Sequence, residues 1–341
     1  MNSNYTPRPN RYDTMRYRRC GKSGILLPEI SLGFWHNFGE NHDEACGLEI
    51  LHYAFDHGIC HFDLANNYGP PSGAAEERFG RYMKQSLHTH RDELFIATKA
   101  GHLMWPGPYG DWGSRKSLMA SLDQSLRRMN LEYVDIYYSH RYDPNTPLEE
   151  TMQALVDIVR SGKALYVGLS KYPEEVAQKA YAYLEAHDVH CLLYQGRYNM
   201  LVRQPEEAII PQAHENGTGF IAFSPLAQGL LTDRYLQGIP EGSRMTTSQF
   251  LRPETLTDDL VNKLRALNAI AQQRGQTLAQ MALSWLLSDK RVTSVIVGAS
   301  SVEQLENNLH SLEALEFTSE ELEKILHILS QKRCINSNPK Q

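Results

Sequence analysis

The sequence predicts an α/β chain folded as a (β/α)8 TIM barrel, with an N-terminal β-hairpin and extra helices at the C-terminal end. Three observations carry that expectation. Eight short apolar runs alternate with segments of helical periodicity, the pattern of parallel strands joined by right-handed crossovers. Eight is the number that closes such a barrel. Several runs stop at an ionisable or polar residue, as expected where strand ends and helix N-termini gather around a ligand. A doubly wound open sheet is the alternative, but no GxGxxG joins a first strand to a first helix, so a Rossmann cofactor site lacks support.

Two short alternating pieces between Met15 and Pro28 flank CGKSG, a hairpin expected to act as a lid or plug. Ile30–Gly33 is the first barrel strand, followed into a loop by Phe34, Trp35 and His36. Leu48, Leu51, Ala54 and Phe55 recur at helical spacing within Asp43–His57, and Gly58 stops that helix. Next come HFDL (61–64), a helix from Ala74 to Gln85, the strand Leu94–Thr98 and, after a Gly/Pro/Trp loop, a helix over Lys116–Met129. VDIYYS (134–139) precedes a helix begun near Pro147 and ended by Gly162. The alternation continues through ALYVGLS (164–170), a helix from Pro173 to His187, CLLYQ (191–195), a helix over Pro205–Asn216 and GFIAFS (219–224). An irregular segment, Pro225–Pro253, leads to helices over Leu256–Arg274 and Leu278–Leu287. TSVIVG (293–298) is the eighth strand, and helices over Val302–Leu312 and Thr318–Ser330 close the fold. One domain, 15–330, is therefore expected between a flexible N-terminus, 1–14, and a polar tail, 331–341.

Composition agrees with one domain: 341 residues, 41% hydrophobic and 22% charged, show no break that divides them. A net charge of -6 and the lack of a dense basic block argue against a nucleic-acid partner. The opening residues lack an apolar signal core, and no apolar run reaches membrane-spanning length, so a cytoplasmic protein without a membrane partner is expected. The five cysteines are scattered without a CxxC pair and read as reduced bystanders. His36, His61 and His102 fit no HxH or HExxH spacing, so no metal is expected.

The chemistry lies at the strand ends. Asp63 closes one strand and Tyr68 follows five residues on; Lys99 and His140 close the next two. Tyrosine normally holds its proton to about pH 10. Beside a protonated Lys99, the phenolate is expected to be favoured and the Tyr68 pKa to fall, with Asp63 keeping Lys99 charged and in place. Tyr68 then gives a proton to a carbonyl oxygen that His140 orients by a hydrogen bond. None of these groups is a hydride source, so a reduction needs a nicotinamide at the barrel mouth.

The D-x4-Y of Asp63 and Tyr68, Lys99 in ATKAG and His140 in YSHR resemble the catalytic tetrad of the aldo-keto reductases, which are (β/α)8 barrels using NADPH. NNYGPP, WPGPYG, SPLAQGLL and GASSVEQLENN resemble the branch holding potassium-channel β subunits and bacterial L-glyceraldehyde 3-phosphate reductases, the latter more closely. The resemblance implies NADPH-dependent reduction of small aldehydes, L-glyceraldehyde 3-phosphate first, with methylglyoxal equally compatible with the tetrad. It implies that Trp35 and Asp63 flank the nicotinamide ribose, that Ser170 and Gln195 hold the carboxamide, and that Phe223 stacks on the ring. Ser224, Leu226, Gln228 and Gly229 then cover the pyrophosphate, Arg234 and Arg244 supply charge near the phosphates, and Ser300, Gln304 and Asn308 surround the adenosine. It further implies a homo-oligomer of four or eight chains.

Departures from the family pattern bear on the cofactor. Lys171 follows Ser170 where many members have asparagine, and Gly298, Ala299 and Gln304 stand where many carry a lysine and an arginine near the 2′-phosphate. The preference for NADPH over NADH then rests on Arg234 and Arg244. For substrate, Trp35, Tyr68, Trp105 and Arg141 are the expected contacts, with Trp112, Arg115 and Lys116 nearby, giving a small basic pocket that suits a phosphorylated aldehyde. Two other classes compete. One is a nicotinamide-binding regulatory subunit, against which His140 counts because channel subunits carry asparagine there. The other is a barrel hydrolase or lyase without cofactor.

Overall fold

The computed structural model describes residues 5–241, 243–247 and 251–330, so the tail 331–341 with Cys334 lies outside the described residues. Eight parallel strands close in the order β10-β3-β4-β5-β6-β7-β8-β9, and the expected barrel is present. They are β3 (Ile30–Gly33), β4 (His61–Asp63), β5 (Phe95–Ala100), β6 (Val134–Ser139), β7 (Ala164–Ser170), β8 (Cys191–Arg197), β9 (Gly219–Phe223) and β10 (Val292–Val297). Every residue of β3 to β6 and of β10 is buried. Helices cover one face and the packed interior the other, which is why these strands read as continuous apolar runs.

The antiparallel hairpin of β1 (Tyr17–Arg19) and β2 (Leu26–Pro28) is a plug, not a lid over the site. Cys20 at its turn and Leu27 on β2 join Phe95, Ile136, Leu193 and Ile221 in one buried cluster inside the barrel, at the N-terminal ends of the strands. Arg18 locks it there, donating to Glu29 Oε1 at 2.6 Å, to Val292 O at 2.7 Å and to Asp289 O at 3.1 Å. Residues 5–14, where the sequence suggests a flexible lead, lie along α1 (Glu44–Asp56). Tyr5 stacks on His52 with centroids 3.6 Å apart and donates to Asp56 Oδ1 at 3.0 Å, and Arg11 pairs with Glu93.

The barrel helices are α1, α2 (Ala74–Tyr82), α3 (Arg115–Met129), α4 (Leu148–Arg160), α5 (Glu174–Glu185), α6 (Ile209–Glu215) and, after the short α7 (Arg244–Thr247), α8 (Asp258–Gln273), α9 (Leu278–Ser288) and α10 (Val302–Leu309); α11 (Ser319–Ser330) ends the fold. Local sequence sets their ends. Asp43 accepts from Cys46 N at the start of α1, Ser114 caps α3, and Thr277 with Gln280 forms a capping box on α9.

Three helices differ from expectation, one of them the run Val302–Leu312, which leaves the α form after Leu309 and continues as a 3-10 turn, His310–Glu313. The run 74–85 stops being α-helical at Tyr82 and continues as a π turn, Met83–Leu87, where Ser86 Oγ bonds back to Tyr82 O at 3.1 Å. The run Pro205–Asn216 breaks into a 3-10 turn, Gln204–Glu206, and α6. Pro211 allows only the later start, because its ring excludes a helical carbonyl at Glu207 while its missing N–H is harmless in a first turn. No helix among the described residues is long and apolar enough to cross a membrane.

Candidate active site

The two-residue period of a strand builds the site. Phe95 and Ala97 on β5 and Ile136 and Tyr138 on β6 fill the barrel interior. The next residues on the same faces, Lys99 and His140, therefore project into its upper end. Asp63 joins them from β4, pairing with Gly33 on one side and Ala97 on the other. The loop after β4 stays tied to β5 through Leu64 N to Ala97 O and Asn66 N to Lys99 O, and this brings Tyr68 back over the barrel.

Lys99 has no exposed side-chain area, and its ammonium uses three acceptors: Asp63 Oδ2 at 2.7 Å, Leu64 O at 2.6 Å and Tyr68 Oη at 3.3 Å. Burial pulls the ammonium down from the ordinary lysine range, and Asp63 opposes this by favouring the charged form. The expectation for Tyr68 is reversed. Its phenol is pushed well above 10, by burial first and by the negative charge of Asp63 second. The attraction of Lys99 is offset by the carboxylate it is paired with, so desolvation decides the sign.

His140 is buried beside them, its ring 6.0 Å from that of Tyr68. Burial, then the charges of Lys99, Lys171 and Arg141 among others, hold it well below 6.5, so the imidazole is neutral at neutral pH.

A cavity of about 650 Å³ opens from Asp63 and Tyr68 and runs between the β9 and β10 loops. Trp35, Phe223, Ser224, Leu226, Gln228, Gly229, Arg234, Ser300, Gln304 and Asn308, all expected near the cofactor, line it. Ser170 and Gln195 do not line it, and Gln195 is engaged elsewhere, its Nε2 donating to Asp63 Oδ1 at 2.8 Å. Arg244 lies on α7, but its side chain lies outside the described residues. Arg141 is beside His140, yet its guanidinium is taken up by Asp111 Oδ1 at 2.6 Å and Gly101 O at 2.7 Å and lies 3.7 Å over Trp112. Trp105 is exposed on the same loop.

Sequence reasoning passed over several lining residues, among them Asn37, Thr232, Asp233 and Thr277. Asn37 bridges two βα loops, its Nδ2 donating to Ala299 O at 2.8 Å. No periodic signal marks such a contact, since its partner is 262 residues away.

A closed barrel with an Asp–Lys–Tyr cluster and a neutral histidine at the C-terminal ends of its strands is the frame of a carbonyl oxidoreductase. The chain belongs to the Aldo/keto reductase family, which it matches over residues 29–330. It is 58% identical over 322 residues to the L-glyceraldehyde 3-phosphate reductase of Escherichia coli O157:H7 and 56% identical over 322 residues to that of Escherichia coli strain K12, covering 93% of each chain in both cases. It is also 35% identical over 326 residues to a probable voltage-gated potassium channel subunit beta of Arabidopsis thaliana, covering 93% of this chain and 98% of that one.

Aldo/keto reductases use NAD(P)H, and the cavity fits such a group. Its lining includes Tyr68 and Asn308, it holds a cation in Arg234, and Asn308 Nδ2 is buried without a hydrogen-bond partner. Ser170 Oγ, close under Gln195 in the β7–β8 register, is likewise unpartnered. Unmet buried polar atoms are costly and point to a missing partner.

Proposed function

We propose that this reductase acts on short aldehydes with NADPH, taking L-glyceraldehyde 3-phosphate and also methylglyoxal, with Tyr68 as proton donor. The contact of Lys99 Nζ with both Asp63 and Tyr68 Oη carries the reading. When bound, a reduced nicotinamide would supply the hydride; Trp35 would flank its ribose, Ser170 would hold its carboxamide and Phe223 would stack on its ring, with Arg234, Ser300, Gln304 and Asn308 toward its phosphates and adenosine. Arg234 is the one described cation lining the cavity, which favours the phosphorylated dinucleotide.

The protein's own groups handle the proton. A raised pKa keeps Tyr68 protonated before reaction. The alkoxide that forms as a carbonyl is reduced is a far stronger base than a phenolate, so transfer from Tyr68 Oη is downhill. The resulting phenolate lies 3.3 Å from the Lys99 ammonium, an attraction present only after the proton has left. Neutral His140 can donate to the carbonyl without adding charge beside Lys99.

Turnover of L-glyceraldehyde 3-phosphate and methylglyoxal, followed by NADPH absorbance in wild type and Tyr68→Phe, tests this. The variant should lose roughly 10²–10⁴-fold in kcat while retaining NADPH affinity. Tight NADPH binding with no turnover of any short aldehyde by the wild type would replace this reading with a nicotinamide-sensing subunit.

A further inference from the structure

We propose that Lys171 is the specificity-determining residue of the aldehyde pocket, its ammonium anchoring the phosphate of the substrate beside His140. The inference rests on the reading above that the substrate is a short phosphorylated aldehyde, and it names the group that recognises the anion.

Lys171 follows Ser170 at the end of β7 with a φ of +55°, in the left-handed region. Residues other than glycine, asparagine and aspartate rarely take that conformation. From there the side chain spans the barrel mouth. Its Nζ lies 3.1 Å from His102 Nε2, on the loop after β5, and 5.6 Å from the Phe223 ring centroid at the end of β9.

A lysine ammonium donates three hydrogen bonds and accepts none. His102 Nε2 must therefore present its lone pair, with the ring neutral. Burial, then the charges of Lys171 and Arg141, hold His102 down at about 4, in keeping with that assignment. One N–H of Lys171 is thus used and two remain for a ligand.

The His102 ring stands edge-on to His140 with centroids 4.4 Å apart, and His140 is next to Tyr68. Tyr68, His140, His102 and Lys171 form an unbroken row, which places the ammonium one imidazole beyond the group that orients the carbonyl. A three-carbon aldehyde with a terminal phosphate has its two polar ends disposed in that way. Arg141, the other cation beside His140, is already neutralised by Asp111. Among the described residues no ion pair involves Lys171, which is solvent-accessible at the mouth. Charge left uncompensated at a substrate pocket favours an anion.

The test uses the NADPH-bound protein as wild type, Lys171→Met and Lys171→Arg. The first readout is the ratio of kcat/KM for L-glyceraldehyde 3-phosphate over that for unphosphorylated L-glyceraldehyde, and the second is the Kd of inorganic phosphate by titration calorimetry. Lys171→Met should lower the ratio and weaken phosphate binding each by roughly tenfold or more, as expected on losing a charge-assisted hydrogen bond, with Lys171→Arg in between. A ratio and a phosphate Kd both unchanged in Lys171→Met overturn the assignment. A wild type that rejects L-glyceraldehyde 3-phosphate yet binds phosphate through Lys171 overturns the substrate reading and leaves the anion site standing.

Discussion

Gln195 Nε2 reaches across the barrel to Asp63 Oδ1 at 2.8 Å, so the carboxylate that holds Lys99 is itself held from the opposite wall. The other oxygen takes Lys99 Nζ at 2.7 Å. Asp63 has thereby no freedom to turn from Lys99, and the lysine stays aimed at Tyr68.

Gln195→Leu should leave one buried carboxylate oxygen bare at a cost of about 1–3 kcal/mol. If Gln195 acts through Asp63, kcat falls roughly tenfold while the NADPH Kd holds. A Kd that rises with kcat unchanged would instead assign the amide to the nicotinamide carboxamide.

The depressed pKa of His140 sets the pH behaviour of the reaction. As pH falls, the imidazole gains a proton only well below 6.5, and the new charge then faces Lys99. With an unphosphorylated aldehyde, which adds no titration of its own, kcat/KM should stay level through pH 6.5 and decline only in more acidic solution. A limb centred on the ordinary histidine value would show His140 to be solvated during catalysis.

The plug hairpin depends on Arg18. Its ion pair with Glu29, whose side chain is 3% exposed, is buried, and Arg16 Nε is left as a poor substitute at 3.5 Å. Arg18→Met should destabilise the fold by about 3–5 kcal/mol, because the Glu29 charge remains in the interior. Urea unfolding measures this, and the loss should shrink when Glu29→Gln is added.

The N-terminal stretch is clamped at Glu93. Burial works to raise that carboxyl, but hydrogen bonds from Tyr12, His90 and Arg11 outweigh it and hold the pKa down to about 2. A carboxylate depressed on folding contributes stability that is complete above its unfolded value of about 4.3 and is lost as pH falls toward 2. Residues 5–14 should therefore gain hydrogen exchange between those limits. Glu93→Gln should produce the same release at neutral pH, with β-strand amides unaffected.

Periodicity and strand count were enough to determine the barrel, because most barrel-strand residues are buried on both faces while each helix is buried on one, and burial writes itself into the order of apolar residues. The residue types at the strand ends likewise pointed to Asp63, Tyr68, Lys99 and His140, since a period of two carries side chains from the packed interior into the site. What only the tertiary structure decided were quantities set by neighbours distant in the chain. The direction of the Tyr68 pKa came from enclosure, which outweighs the charge of a lysine already paired with Asp63. The partner of Gln195 lies 132 residues away across the barrel, and Arg141 proved to be committed to Asp111 while Lys171 was not. Desolvation and the pairing of charges depend on three-dimensional proximity, which a linear pattern of residue types does not contain.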